Sequence, residues 1–110
     1  MTDLQPVVAQ SADAAGLHAT APALLLELTT QLGSLTATAT AATERGRRPF
    51  RPTPGWAARL GELAYGIYLL ADQTGVDVDR EVFNTAQAIR QHALATGADG
   101  SWPFQSYTGA

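Results

Sequence analysis

The sequence predicts an all-α fold, a small helical bundle completed by a second copy of the chain. Three observations predict it. Apolar residues recur at helical three-and-four spacing in separate stretches, most clearly at Trp56, Leu60, Leu63, Ile67 and Leu70. Glycine, proline and capping residues divide those stretches from one another. Finally, 110 residues make a single domain with a modest core. Three apolar helix faces in so short a chain therefore argue for a homodimer in which the second, third and fourth helices pack against their copies.

The first helix is the shortest. Asp3 caps it, Pro6 fits its first turn, and it runs to about Ala15 with Leu4, Val7, Val8 and Ala12 on one side before Gly16 stops it. With its linker it occupies residues 1–19. The main helical domain, 20–97, begins at Thr20 as N-cap with Pro22 in the first turn. Leu25, Leu28, Leu32, Leu35, Ala39 and Ala42 form a heptad-like stripe whose start Leu24 and Leu26 broaden. From Thr36 to Thr43 the sequence alternates Ala and Thr. Threonine loses rotamer freedom in a helix, so this half depends on tertiary packing or frays, and an alternating strand is the competing reading.

Residues 45–55, RGRRPFRPTPG, are a loop, because two glycines and three prolines prevent regular structure. Thr53 and Pro54 are expected to open the next helix as N-cap and N1, and Gly75 to close it. Tyr65, Tyr68 and Leu69 widen its apolar stripe, so both tyrosines read as core or interface residues rather than base-stacking platforms. Asp77 or Asp79 caps the last helix, whose apolar positions are Val82, Ala86, Ile89 and Ala93 and which Gly97 and Gly100 end. The tail, 98–110, either folds Trp102, Phe104 and Tyr107 back onto the bundle or a partner chain, or is disordered.

Composition excludes several classes. A net charge of −3 argues against general nucleic-acid binding. All seven basic residues are arginine, which reads as the codon bias of a GC-rich genome. Without cysteine there is no disulfide framework, thiolate metal site or cysteine nucleophile. The first ten residues lack the basic and apolar regions of a signal peptide, and no apolar run reaches the roughly 18 residues of a membrane span. The expected location is the cytoplasm, with no membrane partner.

The segment LGELAYGIYLLADQTGVDVDREV, with LTTQLGSL at 28–35 upstream, resembles the MazG-like nucleotide pyrophosphohydrolases of the all-α NTP pyrophosphatase superfamily. The two segments lie in the same order as in that family, and the loop between Ser34 and Arg59 has a length its motif tolerates. The resemblance implies a helical bundle in which E-E-x-x-E on one helix and E-x-x-D on the next hold Mg²⁺ for hydrolysis at the α-phosphate of a nucleotide. Carboxylates at such spacing share one helical face, and Mg²⁺ demands hard oxygen ligands.

Position by position, the acids are missing. Thr30, Gln31 and Ser34 stand where the family has three glutamates, Arg59 stands at the first acid of the second pair, and Glu62 alone keeps a carboxylate. At an effective dielectric near 20, Arg59 would repel a cation a few ångströms away by a few kcal/mol. The expectation is therefore a MazG-like domain that has lost its pyrophosphohydrolase activity and needs no cofactor. It would serve as a protein-interaction module, or bind a nucleotide or another anion through Arg59, Glu62, Gln31, Ser34, Arg47 and Arg48. Guanidinium forks bind phosphate bidentately, although the arginine loop lacks the glycine cradle and preceding strand of a P-loop. A plain i, i+3 ion pair between Arg59 and Glu62 is the simpler role for that arginine. The enzyme alternative is an active pyrophosphohydrolase that binds Mg²⁺ through an atypical set, Glu27, Glu44 and Glu62.

Little other chemistry stands out. His18 and His92 lack an Asp or Ser partner nearby in sequence and are expected at surface or boundary positions. Asp72, Asp77, Asp79 and Glu81 gather at the hinge before the last helix without calcium-loop spacing, which fits capping and solvation.

Overall fold

A computed structural model describes residues 3–100. It contains four helices, α1 (Leu4–Ala15), α2 (Ala21–Ala42), α3 (Trp56–Gln73) and α4 (Val78–Thr96), and no strand among the described residues. Two compact units divide the chain at Asp77, the first holding α1 to α3 and the second α4.

The helix starts and stops are local chemistry. The Asp3 carboxylate accepts from the Gln5 amide at 3.3 Å, and the Thr20 hydroxyl accepts from that of Ala23 at 3.3 Å. At the end of α3, Gly75 adopts φ +71°, while the Val76 amide donates to Ala71 O at 2.9 Å and the Gly75 amide to Asp72 O at 3.3 Å. These two reverse bonds satisfy carbonyls the helix leaves open, and only glycine takes that backbone conformation without cost.

The Ala/Thr half of α2 is helix throughout. Thr36 and Thr38 turn their hydroxyls back onto Leu32 O and Ser34 O at 2.8 and 3.0 Å, so their polar groups are satisfied within the helix. The start of α3 differs from expectation. Gly55 is its N-cap and makes no side-chain capping bond, whereas Thr53 accepts the Trp56 amide through its backbone carbonyl at 3.0 Å. The chain thus enters α3 through a backbone turn, steadied by an edge-to-face contact of Phe50 with Trp56 at 4.8 Å between ring centroids.

Helix α3 is the centre of the first unit. On one side α1 lies antiparallel to it, with the Gln5 side-chain amide donating to Val76 O at 2.6 Å and Ser11 Oγ 2.6 Å from Tyr65 Oη. On the other side α2 lies antiparallel, pairing Ser34 with Arg59 and Leu28 with Gly66. Val8, Ala12, Leu24 and Leu69 form the core, with Tyr65, Tyr68 and Leu70 packed against them.

This seam is rotated from the predicted stripes. Leu24 and Leu35 are the buried residues of α2, whereas Leu25 and Leu32 are each 53% exposed. On α3 the buried residues are Leu69 and Ala71, while Leu60 and Ile67 of the predicted stripe are exposed. Gly66 explains the rotation. A Cβ there would lie 2.6 Å from Leu28 Cδ2, so the missing side chain lets α2 approach along the Gly66 face. Leu25, Leu32 and Ile67 are left on one outer flank, where with Leu28, Thr29 and Leu63 they line a groove of about 260 Å³.

Among the described residues, α4 is the one helix of the second unit. Asp79 and Glu81 stand in its first turn, where they complement the helix dipole. None of its residues is buried, and Val82, Phe83 and Leu94 are exposed. The expectation for Trp102, Phe104 and Tyr107 lies outside the described residues.

Candidate functional site

The candidate residues of α2 and α3 meet at one end of the antiparallel seam. Arg59 Nη1 donates to Ser34 Oγ at 2.8 Å, a contact between residues 25 positions apart in sequence. One turn earlier on α2, Gln31 is half-buried, and its Nε2 reaches Glu27 Oε1 at 3.4 Å along the helix. Its Oε1 is buried with no hydrogen-bond partner and lies on the Gly66 side, 3.5 Å from where a Cβ would stand. Thr30 takes no part, because its hydroxyl donates to Leu26 O of its own helix at 3.1 Å. Glu62 is exposed on α3 one turn beyond Arg59. Among the described residues the i, i+3 ion pair between these two does not form; Arg59 reaches across to Ser34 instead.

The arginine loop is ordered by its own contacts. Glu44 and Arg45 take left-handed conformations at φ +48° and +59°, and Arg48 Nε pairs with Glu44 Oε2 at 3.3 Å. Arg47 and Arg48 are exposed, and Arg48 is committed to Glu44 within its own turn. An exposed i, i+4 pair of this kind contributes only about 0.3–0.5 kcal/mol, so an arriving anion can displace it cheaply.

No family model, curated protein or solved structure matches this chain. Magnesium needs several hard anionic oxygens in near-octahedral array. Ser34 offers a neutral hydroxyl, already hydrogen-bonded to Arg59, and Gln31 faces Glu27 with its amide nitrogen rather than its oxygen. Among the described residues, no three His, Asp or Glu side chains are grouped to share a cation, so Glu27, Glu44 and Glu62 do not converge within one chain. The residues present do not fit the metal that the MazG resemblance implies.

Two features escaped sequence reading. His18 is clamped between α1 and α3, with Nε2 against Asp13 Oδ1 and Nδ1 against Gln73 Oε1. Gln73 Nε2 donates to Ala19 O at 2.7 Å, which fixes the orientation of its amide and leaves Oε1 toward the ring. Both imidazole nitrogens thus face acceptors, a geometry only the doubly protonated ring satisfies. The Gln73 bond first, then the hydrogen bond and charge of Asp13 and the charge of Asp72, raise the His18 pKa above its ordinary 6.5, against some desolvation. Asp13 precedes His18 by five residues, and the left-handed turn at Gly16 brings the chain back on itself. A helix-stop glycine between an acid and a histidine was the available signal.

The second feature is an acidic pocket of about 480 Å³ that Asp72 and Asp77 line together with Asp3 from the start of α1. Asp3 caps α1 there. His92 is exposed on α4.

Proposed function

We propose that this chain is a MazG-like helical subunit that has exchanged its cation site for a guanidinium–hydroxyl contact and works by association, as a homodimer and protein-interaction module, without hydrolysing nucleotides. The observation that carries this reading is the Arg59–Ser34 hydrogen bond at 2.8 Å. It joins the two helices at the positions where the resemblance would put facing acids, and it sets a positive charge there. Support for association comes from the outer flank of α2 and α3, where Leu25, Leu32 and Ile67 are about half exposed along one groove. Apolar side chains gathered in this way mark an interaction surface, whereas scattered ones do not.

The decisive assay is pyrophosphate release from a panel of NTPs and dNTPs with Mg²⁺ or Mn²⁺. No release above the blank is expected. Turnover that Glu62→Gln abolishes would overturn the reading and restore the enzyme alternative. A second reading, an anion or nucleotide binder, is favoured by the exposure of Arg59. Calorimetric titration with dATP separates the two: binding heat that Arg59→Ala removes selects the anion binder.

A further inference from the structure

A second cavity lies on the other flank of the α2–α3 seam and carries different chemistry. It has a volume of about 400 Å³, and its walls include Leu17 and Ala19 of the α1–α2 linker, Leu24 and Leu28 of α2, and Leu69 of α3. A volume of about 150 Å³ already holds a benzene ring, and small-molecule pockets begin near 300 Å³. The walls are mostly apolar, so the few polar groups decide what fits. Tyr65 is engaged, its hydroxyl lying 2.6 Å from Ser11 Oγ. Glu27 and Gln31 remain.

Both of these present acceptors. The Glu27 side chain is an exposed carboxylate steered by Gln31 Nε2 at 3.4 Å, and Gln31 Oε1 is a buried acceptor with no donor. No lysine or arginine lines the cavity to receive an anion. An apolar chamber with a carboxylate on its wall selects an apolar body that carries a cationic donor. We propose that this cavity is a binding site for a small hydrophobic amine, with the ammonium on Glu27 and the apolar part against Leu24, Leu28 and Leu69. The site is separate from Arg59, whose charge would repel such a ligand. The His18 clamp holds its roof, because Leu17 and Ala19 flank that histidine and Gln73 bonds the Ala19 carbonyl. The cavity shares Leu28 with the outer groove of α2 and α3, and its other wall residues lie outside that groove.

The test uses three probes that share a phenyl ring on a three-carbon chain, applied to the full chain: 3-phenyl-1-propylamine, 3-phenylpropionate and 3-phenyl-1-propanol. Methyl resonances of Leu24 and Leu69 report occupancy in the wild-type protein. The amine is expected to shift them saturably, at least tenfold more tightly than the acid or the alcohol. Glu27→Gln keeps a partner for Gln31 and should weaken the amine at least tenfold, and Ala23→Phe, which fills the cavity from its α2 wall, should abolish the shift. Equal binding of all three probes, amine binding indifferent to Glu27→Gln, or no shift of either leucine with the amine would each overturn the proposal.

Discussion

Gly66 and His18 each hold a position for a reason that a single substitution can expose. At Gly66 the absent Cβ lets Leu28 sit where a methyl group would otherwise lie 2.6 Å away. Gly61, five residues earlier on α3, has nothing within 4 Å of the same virtual atom. Replacing a helical glycine by alanine ordinarily stabilises by about 0.5–1 kcal/mol. Gly61→Ala should show that gain. Gly66→Ala must also displace Leu28, an overpacking cost of about 1–3 kcal/mol, and should fall below Gly61→Ala by roughly that difference in urea denaturation. Equal stabilisation by both would mean that the helices do not approach along this face. At His18 the sign follows from the raised folded-state pKa. The clamp contributes its full stability below the unfolded value of 6.5 and loses it as pH rises through the higher folded value. The difference in thermal midpoint between wild type and His18→Gln should be largest near pH 5.5 and shrink toward pH 9. A difference that stays constant over that range would show that the charge of the ring is irrelevant.

At the scale of the elements, most helix boundaries were legible and the buried faces only in part: Val8, Ala12, Leu35 and Leu69 are buried on the faces read from sequence, whereas Leu25, Leu32, Leu60 and Ile67 are exposed. Asp3, Gly16, Thr20 and Gly75 act on backbone groups within a few residues of themselves, so their meaning is complete in the local sequence. Gly75→Ala, which forces a Cβ into φ +71°, should cost about 1–2 kcal/mol, with Gly75→Asn milder, as read from urea midpoints. The buried face is a property of two helices at once. Consecutive leucines at 24, 25 and 26 let α2 present an apolar stripe in more than one direction, and periodicity alone favoured the one through Leu25 and Leu32. The seam instead runs past Gln31 and Gly66, neither of which carries an apolar signal. The same limit applies to the candidate site. Ser34 and Arg59 could be nominated by position and do meet across the helices, whereas the turning away of Thr30 and the His18–Gln73 contact depend on side-chain direction. The missed cap at Thr53 has a further cause: a backbone turn, invisible to residue preference, brings the chain into α3.

At the scale of the molecule, the first unit buries few side chains and leaves a coherent flank uncovered. Val8, Leu24, Leu35 and Leu69 are its large buried hydrophobics, and among the described residues Ala12 is completely buried while no large side chain is. Complete burial of one leucine contributes about 1.5–3 kcal/mol, so covering the half-exposed Leu25, Leu32 and Ile67 adds an amount that matters beside a total stability of about 5–15 kcal/mol. In the proposed dimer those residues supply part of the folding free energy, and stability becomes tied to protein concentration by mass action. Each tenfold rise in concentration then adds about 1.4 kcal/mol per dimer, or about 3 °C in thermal midpoint for two chains of this length. Calorimetry over a hundredfold concentration range should show that rise, and the double variant Leu25→Glu, Leu32→Glu should flatten it while sedimenting as a monomer. These two positions are already half exposed, so the charges enter water in the single chain and are desolvated only in the dimer. A wild-type midpoint that does not move with concentration, with a monomer in sedimentation, would leave the leucine flank without a second copy to cover it.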